Sequence, residues 1–437
     1  MITTLSKKVF YFGKRFYSSI IFLVYNILKL FIYIAGFYCS LINKKIFIKK
    51  QIMPIILKNK KNKSIISGFL IAFLAFVIFI FPLDFLYAKS YISTPPFVFD
   101  EQKITPGTQK AVYLTGYGSM GNKKKRQQIY ELIDKTELNS LVFDVKDDNG
   151  YIDYNCTIPE VVKTGAVKSY YDIDEILDEF EERDIYSIAR FVAFKDNVLP
   201  RARTDFAMLN KDTGNPIILE GSTWVDIYCE EAWDYYINII KDLASRGVDE
   251  IQFDYIRAPS RGNIASAEYP HNVDGYDKVW AIKNFLKKVQ EETKTYNIKI
   301  SADVFGWVFI TENDQGIGQL IEEMAPQLDY IYPMVYPSHY NIHFLGFKDA
   351  EAHPYEVVKY TLEKGLERIG DTNCKIIPFV QAFSYDLEYT DKEILAQIRA
   401  TEDVGIKGFL FWEATNKYSS VEKALISRVA NSTAESN

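Results

Sequence analysis

The chain has 437 residues, 48% hydrophobic, 15% aromatic and 25% charged, which excludes a disordered, collagenous or coiled-coil protein and exceeds one average domain. The formal net charge of −6 hides a split: residues 1–83 hold twelve Lys, one Arg and no acidic residue, and the remainder holds 38 basic against 57 acidic side chains, a net of −19. So acidic a body excludes a nucleic-acid partner, which needs clustered positive charge.

Residues 1–63 form a basic N-terminal region. Within it, 16–42 is apolar but interrupted by Lys29, and reads as a second span or an interfacial helix. Residues 64–83 are 20 uncharged, mostly apolar residues. At ~1.5 Å per residue they reach across a bilayer core of roughly 30 Å. Lys58, Lys60, Lys61 and Lys63 precede this run and Asp84 follows it, so the positive-inside rule places the body beyond Asp84 outside the membrane. An uncleaved anchor is favoured over a signal peptide, because Leu86 is a poor match for a cleavage site near Ala88 and the run is long. The segment 43–63 holds eight Lys against four basic residues before Phe16. Two spans would therefore run N-out, loop-in, body-out. Met53 also reads as the ordinary start of an exported protein, with 1–52 an upstream extension. The expectation is a cell-membrane protein, single-pass or two-pass, with an extracytoplasmic body.

Residues 84–109 contain Pro95, Pro96, Pro106 and Gly107 and read as a linker. The chain then alternates. Apolar, β-rich runs fall at 111–117, 140–146, 186–194, 250–256, 299–307, 329–336, 375–383 and 407–412. Charged helical patterns lie between them at 123–135, 172–183, 230–246, 276–296, 315–324, 354–368 and 391–403. Asp172, Asp174 and Thr390 read as N-caps; Gly247, Gly365, Gly370 and Gly405 read as helix ends. Eight strands alternating with helices over 110–425, with a short tail at 426–437, predict a (β/α)8 TIM barrel of the α/β class; a doubly wound open sheet is the rival. A barrel gathers function at the C-terminal ends of its strands. Polar and aromatic residues do accumulate at these predicted ends.

Gly116-Tyr117-Gly118-Ser119-Met120-Gly121 fits the dinucleotide fingerprint GxGxxG, with Asp144 as the ribose-binding acid. An extracytoplasmic body and eight strand signals argue against it. The preferred reading is a Gly-rich loop that leaves room for a ligand at the barrel mouth, with no cofactor. Four cysteines without CxxC spacing (Cys39, Cys156, Cys229, Cys374) exclude a zinc ribbon or dithiol motif. The four His lie between 271 and 353 without HxH or HExxH spacing, so no metal is expected, and His339 reads as a sugar-bonding residue.

Strand alternation sorts the side chains by face. Glu250, Gln252 and Asp254 share one face of the fourth strand, opposite Ile251 and Phe253; the apolar set suits the helices, so Asp254 points into the lumen. Ser301 and Asp303 do the same on the fifth strand. Neighbouring strands lie ~4.8 Å apart, and retaining glycosidases hold two carboxyls about 5–5.5 Å apart. Asp254 and Asp303 are therefore the candidate catalytic pair. Asp144 and Lys146 share a face on the second strand, where Lys146 would neutralise lumen carboxylates, as would Arg190. Sugar rings also need apolar platforms, and Trp307, Trp412, Tyr336 and Tyr340 follow strand ends.

Trp224-Val225-Asp226, Asp249-Glu250-Ile251-Gln252-Phe253-Asp254-Tyr255-Ile256-Arg257, Ser301-Ala302-Asp303-Val304-Phe305-Gly306 and Pro333-Met334-Val335-Tyr336-Pro337-Ser338-His339-Tyr340 resemble the glycoside hydrolase domain of bacterial exported and membrane-anchored proteins, a distant relative of α-amylase-type barrels. The resemblance covers about 110–420 and implies a (β/α)8 barrel acting on a polysaccharide. By the amylase-type analogy, Asp254 is the nucleophile and Asp303 the strand-five acid. Ile227, Ala258 and Glu413 depart from the family pattern, and Gln381 stands where an amylase-type site has Asp. Arg257 reads as a ligand contact or a fold-holding ion pair. The expected substrate-binding set is thus Asp144, Lys146, Arg190, Arg257, Trp307, Tyr336, His339, Gln381 and Trp412. The leading expectation is a membrane-anchored glycoside hydrolase acting on a cell-wall or extracellular polysaccharide. A catalytically weak glycan-binding barrel and a metal-dependent hydrolase using the His cluster are the rivals.

Overall fold

The computed structural model describes residues 104–435, with side chains through Ala430. The expectations for residues 1–103, including the membrane span, lie outside the described residues. Among the described residues no helix is long and apolar enough to cross a membrane.

Eight parallel strands close into a barrel. They are β1 (Lys110–Leu114), β2 (Ser140–Lys146), β3 (Tyr186–Val192), β4 (Glu250–Asp254), β5 (Lys299–Phe305), β6 (Tyr330–Met334), β7 (Phe379–Gln381, preceded by Lys375–Ile376) and β8 (Phe409–Trp412). Each pairs with the next in parallel, and β1 pairs with both β2 and β8, which closes the ring and excludes the open sheet. Helices follow the strands: α1 (Lys123–Lys135), α2 (Ile173–Glu182), α3 (Glu230–Arg246), α4 (Lys278–Thr293), α5 (Ile321–Met324), α6 (Pro354–Ile369), α7 (Asp391–Asp403) and α8 (Ser419–Glu435). Helix α8 runs past Leu425 to Glu435, so the described part of the stretch from 426 is helical.

The two faces of each strand meet different environments. Side chains such as Ile251, Phe253, Ala302 and Val304 join the large apolar shell between strands and helices. Inward side chains, including Tyr113, Val142, Ile188, Tyr332, Phe379 and Leu410, fill the lumen. The lumen floor is polar. Glu250 accepts from Ser301 Oγ at 2.6 Å and from the Tyr332 hydroxyl at 2.7 Å. Burial pushes its carboxyl up to about 7 against the pull of these donors.

Helix ends follow local chemistry. Asp172 caps α2 with its side chain, whereas Asp174 lies inside the first turn. Thr390 and Glu393 form a capping box on α7. Gly247 ends α3 at φ +98°, a left-handed conformation costly for other residues. Gly365 does not end a helix. It lies inside α6, where Phe309 packs so closely that an added Cβ would sit 2.0 Å from the ring. The helix needs its glycine for that approach, not for termination.

Two excursions leave the C-terminal end of the barrel. One follows β3 and the other follows β4; they pair through Leu209–Asn210 and Ala267–Glu268. A smaller excursion after β2 adds Ile152–Tyr154, antiparallel to β2, and then Val167–Tyr171. Like the excursions, the short connections after the other strands open on the barrel's C-terminal face, where the chemistry concentrates.

Candidate active site

The centre of the mouth is Arg190, which is 1% exposed. Its β3 position faces inward, and its guanidinium fork divides among three carboxylates. Nη1 meets Asp144 Oδ1 at 2.7 Å, Nη2 meets Asp148 Oδ1 at 2.9 Å, and Nε and Nη2 meet Asp254 Oδ2 at 3.0 and 2.6 Å. One buried cation for three acids leaves a net negative site. Burial pushes the Asp144 carboxyl up to about 6, with Arg190 opposing it and Asp148 reinforcing it.

Asp254 sits at the end of β4. Its Oδ1 accepts from the Tyr255 backbone N–H at 2.6 Å. Tyr255 has φ +48°, a region that costs a bulky residue free energy, so strain is held in the turn beside the carboxylate. The register of β4 on β5 pairs Gln252 with Ser301 and Phe253 with Ala302; one further step sets Asp254 beside Asp303. Asp303 is 2% exposed, and its Oδ1 has no hydrogen-bond partner among the described residues. Burial, and then the charge of Asp254, hold the Asp303 carboxyl far above the usual carboxylate range. The pair thus sets an acid ion-paired with Arg190 beside one that burial favours in its protonated form, an arrangement suited to acid–base division of labour.

Aromatic rings line the same space. Trp412 stacks on Tyr113 with centroids 4.1 Å apart, and the Arg190 guanidinium lies 5.2 Å from the Trp412 ring. Tyr336 packs edge-on against His339 and Phe383. Burial, helped by Arg261, lowers the pKa of His339 below its ordinary value.

Four expected residues lie elsewhere or are otherwise engaged. Lys146 does not share the lumen face with Asp144. A bulge between them pairs Asp144 with Arg190 but Lys146 with Phe191, and the extra residue turns Lys146 toward the helices. There it forms an ion pair with Asp196 at 2.7 Å and lies over the Tyr236 ring. Arg257 pairs with Glu220 at 3.0 Å and covers Trp224 and Phe305, so it joins the two excursions. Gln381 is fully buried; its amide donates to Glu351 and to the Phe383 carbonyl, and its oxygen accepts from Ser338 N–H. That leaves no amide hydrogen for a sugar. Trp307 packs with Tyr340 and Phe344 on the rim.

Three participants escaped the sequence reading. Tyr113 donates to Asp144 Oδ2 at 2.6 Å, and Asp148 completes the Arg190 fork. Asp153 is fully buried on the excursion after β2, and burial, with Asp144 and Asp147, pushes its carboxyl up to about 9. The run Asp147-Asp148 at the end of β2 was the available signal for Asp148; nothing in the strand pattern marked Asp153. Asp153 lies under Gly116, where an added Cβ would come within 1.9 Å of Oδ2. Gly116→Ala is expected to lower stability by about 1–3 kcal/mol through this overpacking, read as a drop in the thermal unfolding midpoint.

One group of candidate metal ligands occurs among the described residues: Cys229, Glu231 and His271 bring ligand atoms within 4.8 Å of one another. It gathers at the start of α3 and on the excursion after β4, apart from the Arg190 network. His339 and His343 are not part of it.

A family model described as "Putative glycosyl hydrolase domain" matches residues 111–418. Among solved structures, a hypothetical protein from Ruminiclostridium thermocellum ATCC 27405 is 37% identical, over 44% of this chain and 97% of its own, with a TM-score of 0.40. The PgaB (BpsB) glycoside hydrolase domain from Bordetella bronchiseptica is 12% identical, over 73% of this chain and 98% of its own, with a TM-score of 0.52. A GH18 chitinase from Pseudoalteromonas aurantia is 11% identical, over 74% and 100%, with a TM-score of 0.46. No curated protein matches the chain.

Proposed function

The chain belongs to the "Putative glycosyl hydrolase domain" family, and from that premise we propose that it cleaves glycosidic bonds of a cell-wall or extracellular polysaccharide with Asp254 and Asp303. The observation that carries the reading is the contrast between the two acids: Asp254 is ion-paired with Arg190, and Asp303 is buried beside it with an Oδ1 that has no hydrogen-bond partner among the described residues. In this mechanism Asp303 gives its proton to the departing glycosidic oxygen as the bond to the anomeric carbon breaks. The Asp254 carboxylate forms the new bond to that carbon. Water, deprotonated by Asp303, then releases the sugar and restores both acids. Trp412, partly exposed and backed by Tyr113, supplies apolar surface for the sugar ring. The long apolar run at 64–83, with its preceding Lys cluster, supports an anchor that holds the barrel outside the membrane.

Release of reducing ends from purified cell-wall and exopolysaccharide fractions tests the assignment. Asp254→Asn is expected to lower the rate by a factor of 10³ or more, on the order seen when a covalent nucleophile is removed. Equal release by variant and parent would end this role for Asp254.

A second reading, a glycan-binding barrel that turns over little or nothing, draws support from one feature. Both Asp254 oxygens already accept protein hydrogen bonds. Glycan retention that persists in a protein lacking both acids, with no cleavage by the parent, would favour it.

A further inference from the structure

The turn after β1 takes no part in the mechanism, yet it is fixed from several sides. Residues Gly116–Met120 form one wide turn closed by Met120 N–H on the Thr115 carbonyl at 2.9 Å. Asn416, from the loop after β8, accepts through one oxygen from Thr115 N–H, Thr115 Oγ1 and Ser119 Oγ at 3.1, 2.8 and 2.7 Å. Gly116 N–H faces Asp144 Oδ2 at 3.4 Å, and Asp153 fills the space beneath. On this rigid turn stands Tyr117, 75% exposed. A side chain so exposed adds little burial to folding. Its ring is nonetheless held in place: Tyr170, on the added strand Val167–Tyr171, packs against it edge-to-face, with centroids 5.0 Å apart at 72°. Tyr151 lies in the same excursion, with Lys168 Nζ 4.2 Å from its ring centroid.

We propose that Tyr117 and Tyr170 form an outlying subsite, on which one pyranose ring of a polysaccharide stacks while a more distant unit of the same chain occupies the Asp254–Asp303 centre. This rests on the glycan reading above. Three features of the turn identify the occupant. An exposed aromatic held edge-on offers open ring area to the apolar face of a sugar. Asp147 lies within electrostatic reach of the Tyr170 hydroxyl and offers a carboxylate acceptor for sugar hydroxyl groups. Gly116 couples the turn to Asp144, so the platform lies on the rim of the catalytic mouth and not on a remote surface. The Asp147 carboxylate beside Tyr170 disfavours a uronic acid or phosphate-bearing unit, so the stacked ring is uncharged or cationic. Binding energy gained on a remote unit is available to orient the scissile bond.

The experiment uses native electrophoresis of the full chain in gels that contain β-glucan, xylan or glycol chitosan, with carboxymethylcellulose as the anionic control. The parent protein should be retarded by at least one of the first three polymers and not by the control. Tyr117→Ala should weaken that retardation about tenfold, with a similar loss for Tyr170→Ala, and Tyr117→Trp should preserve it. Unchanged thermal unfolding in Tyr117→Ala keeps a folding defect separate from lost binding. Retardation by none of the three polymers, retardation equal in parent and Tyr117→Ala, or preference for the anionic control would overturn the subsite. The two readings fail separately. Tyr117-dependent retardation without cleavage by the parent leaves the subsite and removes the hydrolase; cleavage that needs Asp254 but ignores Tyr117 does the reverse.

Discussion

Arg190→Ala is expected to abolish turnover and to lower the unfolding free energy by about 3–5 kcal/mol, the range found when one partner of a buried ion pair is removed. The reason is the arrangement at the mouth. Asp144 and Asp254 are buried, Asp148 is the more exposed of the three, and Arg190 is the cation that all of them contact. Removing it leaves buried acids that must either ionise against one another or take up protons. A loss of function follows even in folded protein, because Asp254 would no longer be oriented by Nε and Nη2 together. Arg190→Lys should restore part of the stability and little of the activity. A lysine brings one compact ammonium, which cannot span Asp144 on one side and Asp254 on the other as the planar fork does. Denaturant unfolding and reducing-end release, measured on the same preparations, check both halves. A stable, active Arg190→Lys protein would show that charge alone matters at this position.

Asp303→Asn should give the opposite pairing of effects: a more stable protein with little or no activity. Loss of the proton donor is expected to cost a factor of about 10²–10⁴ in rate. That loss should shrink on aryl glycosides with good leaving groups, which need no protonation. The stability argument comes from linkage. Burial raises the folded Asp303 pKa well above its ordinary value, whereas in the unfolded chain an Asp ionises near pH ~4. Above that pH the unfolded state gains free energy by releasing a proton that the folded state retains. Wild-type stability therefore falls by on the order of 1.4 kcal/mol per pH unit from this group, until the folded carboxyl itself ionises. Asn never ionises, so the variant's advantage should grow as pH rises above about 4, until the folded Asp303 carboxyl itself ionises. Denaturation midpoints across that range measure it. A variant that is less stable than wild type at every pH would show that Asp303 is held by partners that favour its charge. The same shift fixes the sign of the rate profile: activity on unactivated substrates falls as pH rises through the folded Asp303 pKa.

Much of the barrel was legible because its periodicities are clean. The stretches read as helices at 123–135, 230–246 and 391–403 coincide with α1, α3 and α7, and 140–146 coincides with β2. The sixth, seventh and eighth strands are shorter than their apolar runs. Strands three, four and five overran their C-terminal ends, because apolar and aromatic composition continues into the mouth while the backbone turns away. Tyr255 shows why: its side chain belongs to a strand pattern, and its φ of +48° does not. The inward positions of Asp254, Asp303 and Arg190 follow from simple alternation. Lys146 does not, since one inserted residue reverses every later face and leaves no mark in composition. Gly365 misled for a related reason. A glycine needed for the close approach of Phe309 looks, in one dimension, like a glycine needed for a turn. Asp153 and the Tyr117–Tyr170 contact were out of reach because they arise where a side excursion folds back over the first loop.

The clamp by which Asn416 grips the turn after β1 ties the last strand of the ring to its first. Tyr418 does the same, donating to the Tyr113 carbonyl at 2.6 Å, and Trp412 lies against Tyr113. A chain emerging N-terminus first therefore carries both acids and their arginine long before it carries the seam that shapes their cavity. Cutting ability should therefore depend on the loop after β8, because the cavity takes its shape only once that loop has closed on β1.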